Sequence, residues 1–132
     1  MKSFVQALCL FSTAALANNA NKRYNSGEVK THEKFKYGKF RTRMRGPGKK
    51  GTVSSFFTFY EEMDELPEHW NEIDVELVPS LVNNPFTTNI IYSGRQMDSF
   101  KIPASEFDPS NNWHEYEIEW KPNSIAWSVD GV

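Results

Sequence analysis

The sequence predicts an all-β domain built as an antiparallel β-sandwich. Three observations predict it: six short runs alternate apolar and polar residues, Pro, Gly and Asn punctuate the gaps between them, and no run carries the 3.6-residue period of a long amphipathic helix. A single chain of 132 residues with 39% apolar residues, ten Phe and four Trp supports one packed core. Disorder is excluded as the default by the same composition.

The first expected strand spans 36–45, with Lys39, Arg41, Arg43 and Arg45 on one face and Phe40, Thr42 and Met44 on the other. Gly46-Pro47-Gly48 ends it. The second spans 51–60, where Phe57 and Phe59 lie two apart and share a face; that aromatic surface serves either a cleft or the core. Beyond Pro67 the third spans 70–78, and beyond Asn83-Asn84-Pro85 the fourth spans 86–92. Asp108-Pro109 precedes the fifth, 113–121, where Tyr116, Ile118 and Trp120 face one way and Glu115, Glu117 and Glu119 the other. Lys121-Pro122-Asn123 separates it from the sixth, 124–129.

The amino-terminal residues read differently. Lys2 supplies a positive n-region, residues 4–16 form an apolar stretch broken by Gln6, Ser12 and Thr13, and Ala15-Leu16-Ala17 is a small-x-small cleavage signal. A bilayer span needs about 20 apolar residues, more than this stretch provides. The expected organisation is a signal peptide at 1–17, a polar linker at 18–26 and the folded domain at 27–132, in a secreted, extracellular protein. Cys9 lies in the leader, so the mature chain has no thiol and no disulfide. Fifteen basic against 17 acidic residues give no general pull toward nucleic acid or an anionic membrane. The row of basic residues from Lys39 to Arg45 reads as a solvated sheet face, with no interleaved aromatic platform.

The third strand carries the chemistry. In Trp70-Asn71-Glu72-Ile73-Asp74-Val75-Glu76-Leu77-Val78, three carboxylates project from one face and Ile73, Val75 and Leu77 from the other. Aligned like charges repel, and a strand needing only solubility would mix in Lys, Thr or Ser. The Glu115, Glu117, Glu119 row shows that the pattern alone also suits a solvated face; Trp70, leading into the first triplet, supplies the aromatic surface that a sugar ring's apolar side would use. Glycosidic hydrolysis needs one protonated carboxyl and one ionised carboxylate, and a crowded triplet divides those states because repulsion holds protons on the cluster.

The string Glu72-Ile73-Asp74-Val75-Glu76 resembles the active-site signature of glycoside hydrolase family 16. Flanking segments resemble its lichenase branch: Tyr37-Gly38-Lys39-Phe40, Gly51-Thr52-Val53-Ser54-Ser55-Phe56-Phe57, Thr88-Asn89-Ile90-Ile91, and Trp113-His114-Glu115-Tyr116 continuing through Trp120, Pro122, Ile125, Trp127 and Val129-Asp130-Gly131. The resemblance implies a concanavalin-like jelly roll with a sugar cleft on its concave face, and a retaining endo-β-glucanase cleaving β-1,3-1,4-glucan. By motif position it implies Glu72 as nucleophile, Asp74 as the residue that orients it and tunes its proton, and Glu76 as proton donor and general acid/base. Trp70 matches a sugar-stacking position and Asn89 a substrate-contacting one; Phe57 is a third candidate for substrate binding. A cell-wall glucan transglycosylase and a noncatalytic glucan-binding fragment are the alternatives.

No cofactor is expected, although the resemblance admits a structural calcium whose ligands no local motif marks. His114 has no second His or Cys at ligand spacing and reads as a structural hydrogen-bonding residue. The expected partner is a β-glucan, with no nucleic acid, no membrane after leader removal, and a monomeric state. Members of the family are longer than residues 18–132, so the sandwich is expected to be incomplete at its carboxyl end and the chain to be a fragment. Because circularly permuted lichenases begin at the point matching Gly27, the complete gene is expected to be permuted in the same way.

Overall fold

In the computed structural model, residues 8–12, 26–60, 67–79, 85–102 and 106–132 are described. Eight strands follow one another: β1 (Leu8–Ser12), β2 (Gly38–Met44), β3 (Val53–Tyr60), β4 (Asn71–Leu77), β5 (Phe86–Tyr92), β6 (Arg95–Ile102), β7 (His114–Lys121) and β8 (Ser124–Val129). A 3₁₀ turn, Pro67–His69, leads into β4. All pairings are antiparallel, giving a five-stranded sheet ordered β1-β3-β4-β5-β6 and a three-stranded sheet ordered β2-β7-β8. All six expected strands are present, and the antiparallel sandwich is as the sequence implied.

Period-2 patterning explains how the sheets meet. Phe56, Ile73, Val75, Leu77 and Phe86 from the large sheet pack with Met44, Tyr116 and Ile118 from the small one, and Phe40, Trp120, Ile125, Trp127 and Val129 extend the contact. Opposite faces of the same strands therefore point away from the core. One bond crosses between the sheets at the level of the acidic triplet: the Trp127 indole N–H donates to the Asp74 carbonyl at 3.0 Å.

Two strands were not among those expected. β6 follows β5 through Ser93 and Gly94, whose φ values of 50° and 70° make the positive-φ pair that a tight hairpin needs. Its residues are exposed along nearly the whole length, so no apolar face betrays it. The other is β1, which lies inside the stretch read as a leader and pairs Leu8↔Phe57 through Ser12↔Val53 along the outer edge of β3. Most of the expected linker, and Asn83 and Asn84 of one expected turn, lie outside the described residues.

His114 has the structural role expected of it. Its Nδ1 pairs with Asp130 Oδ2 at 2.7 Å, while Asp130 Oδ1 accepts the Glu115 N–H at 2.9 Å, closing the carboxyl-terminal turn onto β7. Among the described residues no group of three or more His, Cys, Asp or Glu side chains could hold a metal ion. No step below runs through a metal ion.

Candidate active site

β4 occupies the middle of the large sheet, with β3 on one side and β5 on the other. The register sets Glu72 between Phe59 and Ile91, Asp74 between Phe57 and Asn89, and Glu76 between Ser55 and Thr87. Directly opposed residues share a face, so this row forms the outer surface of the large sheet. A cleft of about 390 Å³ opens there, lined by Trp70, Glu72, Asp74, Glu76, Asn89, Ile91, Gly94 and Gln96. Five of the six expected site residues line it; Phe57 lies one strand over on the same face, edge-on to Phe59 with ring centroids 6.2 Å apart.

Hydrogen bonds give each carboxyl a different environment. The Trp70 indole N–H donates to Glu72 Oε2 at 2.8 Å. Asn89 Nδ2 donates to Asp74 Oδ1 at 2.9 Å and reaches Glu76 Oε2 at 3.4 Å, and the Thr87 hydroxyl donates to the same Glu76 oxygen at 3.4 Å. Gln96 Nε2 donates to Asn89 Oδ1 at 2.8 Å and so fixes which way the Asn89 amide faces. Trp70, expected as a stacking surface, thus has its indole edge committed to the expected nucleophile. Asn89, expected to meet substrate, bridges two carboxyls.

Further bonds hold the rim. Gly94 N–H donates to the Trp70 carbonyl at 2.9 Å and Ser93 N–H to Asn71 Oδ1 at 3.2 Å, lashing the β5–β6 turn to the start of β4. Gln96, Ile91 and Gly94 were missed by sequence reasoning. A Ser-Gly pair after the apolar run of β5 was the signal for a hairpin, and it would have carried Gln96 back beside Ile91, its register partner.

The electrostatics separate this triplet from the other acidic row. Burial pushes Glu72 up to about 7, opposed by the Trp70 hydrogen bond and aided by the charge on Glu76. Burial again leads for Asp74, which is pushed up to about 8 with Glu76 and Glu72 adding repulsion and Asn89 opposing. Among the described residues no Lys or Arg is one of the groups acting on either. Glu117 and Glu119 lie on the outer face of the small sheet, bonded to Arg41, Lys39 and Lys121, and these cations hold both below the usual carboxylate range. One row is neutralised by bases; in the other, which is crowded and partly to fully buried, Glu72 and Asp74 hold their protons to about neutral pH or above.

A carboxyl whose proton leaves near neutral pH is suited to proton transfer and nucleophilic attack. Asp74, protonated below about pH 8, removes one charge from between Glu72 and Glu76 and lets another carboxylate ionise. Replacing Trp70 by Phe keeps an aromatic ring but deletes the hydrogen bond that favours ionised Glu72. The Glu72 pKa should rise, so the acid limb of the kcat/KM pH profile is expected at higher pH in Trp70→Phe than in the wild type. An unmoved limb with a raised KM would instead assign Trp70 to substrate stacking alone.

The chain is similar to known proteins in sequence and in fold. The family model for glycosyl hydrolases family 16 matches residues 6–132. Among curated relatives, a beta-glucanase of Bacillus subtilis (strain 168) is 35% identical over 120 residues, covering 89% of this chain and 47% of that protein. A beta-glucanase of Fibrobacter succinogenes is 38% identical over 127 residues, covering 91% of this chain and 35% of that protein. The chain thus spans about half, or less, of the length of these relatives. The solved structure of Bacillus licheniformis beta-glucanase superposes with a TM-score of 0.63 at 34% identity over 74% of this chain and 44% of that one. With the acidic strand, the sandwich that presents it and a family match across nearly the whole sequence in agreement, the chain belongs to glycosyl hydrolases family 16.

Proposed function

We propose that this chain carries the catalytic carboxylates of a secreted endo-β-glucanase that hydrolyses β-1,3-1,4-glucan with retention of configuration. The observation that carries the reading is the cleft-facing triplet, in which burial and mutual repulsion hold the Asp74 proton up to about pH 8 and bring the loss of the Glu72 proton to about pH 7, so that Glu72 ionises beside a protonated Asp74. The names of the relatives support the substrate class.

The steps follow from the placement of the side chains. Ionised Glu72, steered by the Trp70 N–H, attacks the anomeric carbon while the bond to the leaving oxygen breaks and Glu76 gives that oxygen its proton. Glu76, now a carboxylate, takes a proton from water, whose oxygen attacks the same carbon and expels Glu72. Each face is attacked once and the configuration is retained. Asp74 retains its proton through the cycle and moderates repulsion along the row. Reducing-end release from lichenan and barley β-glucan, with little from laminarin, is the expected result. Transfer to an added oligosaccharide with no net gain of reducing ends would replace hydrolysis by transglycosylation.

Secretion, with a glucan as substrate and the protein acting as a monomer, belongs to the same proposal. It rests on the apolar stretch and the Ala15-Leu16-Ala17 signal. Cleavage there removes β1 and bares the edge of β3. Amino-terminal sequencing of protein recovered from the medium is expected to begin at Asn18. A first residue at or before Leu8 would instead make β1 a permanent member of the sheet.

A further inference from the structure

The row Lys39, Arg41, Arg43, Arg45 is not the uniform solvated face that the sequence suggested; the structure divides it in two. At one end Lys39 and Arg41 are paired with Glu117 and Glu119 across the β2–β7 ladder. At the other, the guanidinium carbons of Arg43 and Arg45 each lie 6.0 Å from the ring centroid of Trp113. An aromatic platform therefore does accompany the charges, contrary to the sequence reading.

Register is the cause. The β2–β7 pairs run from Gly38↔Trp120 to Met44↔His114, so the next position sets Arg45 opposite Trp113 with Arg43 on the diagonal. Trp113 is nevertheless 57% exposed, on an outer surface where so large an apolar group gains nothing by facing water. Exposed Lys49 and Lys50 follow in the loop that Gly46 ties to the Pro109 carbonyl at 2.8 Å. The nearby acids are partly occupied: Asp108 accepts from Ser110, and Asp130 from the Glu115 N–H while paired with His114, leaving Glu115 as the register partner of Arg43. A chain of formal net charge −2 thus concentrates positive charge around one exposed indole.

We propose that Trp113, Arg43 and Arg45 form a surface site for an acidic polysaccharide, on the opposite face of the sandwich from the cleft. The indole offers a stacking surface to the C–H face of a sugar ring, and the two guanidinium forks offer paired donors to the carboxylate of a uronate unit. A neutral glucan uses only the indole. Single-stranded nucleic acid is held by successive stacking aromatics along a basic groove, whereas this patch offers one indole.

Affinity electrophoresis of the full chain in native gels containing polygalacturonate tests the proposal. Retardation is expected at low salt, weakening as salt rises. Trp113→Ala and the double variant Arg43→Gln/Arg45→Gln are each expected to raise the apparent Kd about tenfold, with Trp113→Phe retaining most of the binding. Trp70→Ala, which alters the cleft, should leave it unchanged, so the result is independent of the catalytic reading. Absence of retardation at low salt would overturn the site. So would equal retardation of Trp113→Ala and wild type, which is plain ion exchange, or tighter binding of a single-stranded oligonucleotide of matched charge.

Discussion

Glu72→Gln is expected to lower kcat/KM on lichenan by about a thousandfold or more, equivalent to about 4 kcal/mol of transition-state stabilisation. The amide keeps the shape of the side chain and can still accept the Trp70 hydrogen bond, but it cannot form the covalent glycosyl bond. Stability should move the other way. The folded-state pKa of Glu72, about 7, lies above its ordinary value of 4.5. The folded state therefore holds the extra proton, and the group's contribution to stability is fully present below about pH 4.5 and lost as pH rises through about 7. Glutamine removes that loss. Thermal unfolding at pH 8 is thus expected to show a Tm at or above the wild-type value in the inactive variant. A lowered Tm accompanying the lost activity would mean that the side chain serves the fold instead.

Glu76→Gln is expected to fail selectively. A general acid contributes about a hundredfold to ten-thousandfold, and its contribution grows with the basicity of the leaving oxygen. Hydrolysis of the polysaccharide should fall by that amount. Release of an aryl group with a low-pKa phenol from an activated oligosaccharide should fall far less in the first step, because that leaving group departs without a proton. The released phenol is read directly as an initial burst. Equal losses on both substrates would remove the proton-donor role from Glu76, and a smaller loss on the polysaccharide would reverse the assignments of Glu72 and Glu76.

Much of this arrangement was legible in the sequence. The apolar residues of β3, β4 and β7 alternate because one face is buried and the other is not, and Pro, Gly and Asn mark where the alternation restarts. The same logic could not find β6, whose Met97 and Phe100 are both exposed and lie on opposite faces. Nor could it separate β1 from a leader, since a mainly apolar run suits either an edge strand or a targeting segment.

Within the site, the row Glu72, Asp74, Glu76 was readable from spacing alone, whereas its distinction from Glu115, Glu117 and Glu119 was not. That distinction lies in what stands across the ladder: Phe57, Phe59 and Asn89 beside the first row, Lys39 and Arg41 beside the second. Pairing between strands far apart in sequence decides it, as it decides that Trp113 meets Arg43 and Arg45. The indole bond from Trp70 to Glu72 was likewise invisible, since a residue two positions away on one strand face can stack, pack or donate.

The central claim is that Glu72 attacks the sugar. Incubation with an activated 2-deoxy-2-fluoro β-glucan oligosaccharide, whose fluorine slows the second step more than an activated leaving group slows the first, should leave one glycosyl unit covalently bound. Peptide mass mapping is expected to place that adduct on Glu72, with none formed by Glu72→Gln. An adduct on Asp74 or Glu76, or turnover that releases the inverted anomer without any adduct, would contradict the account.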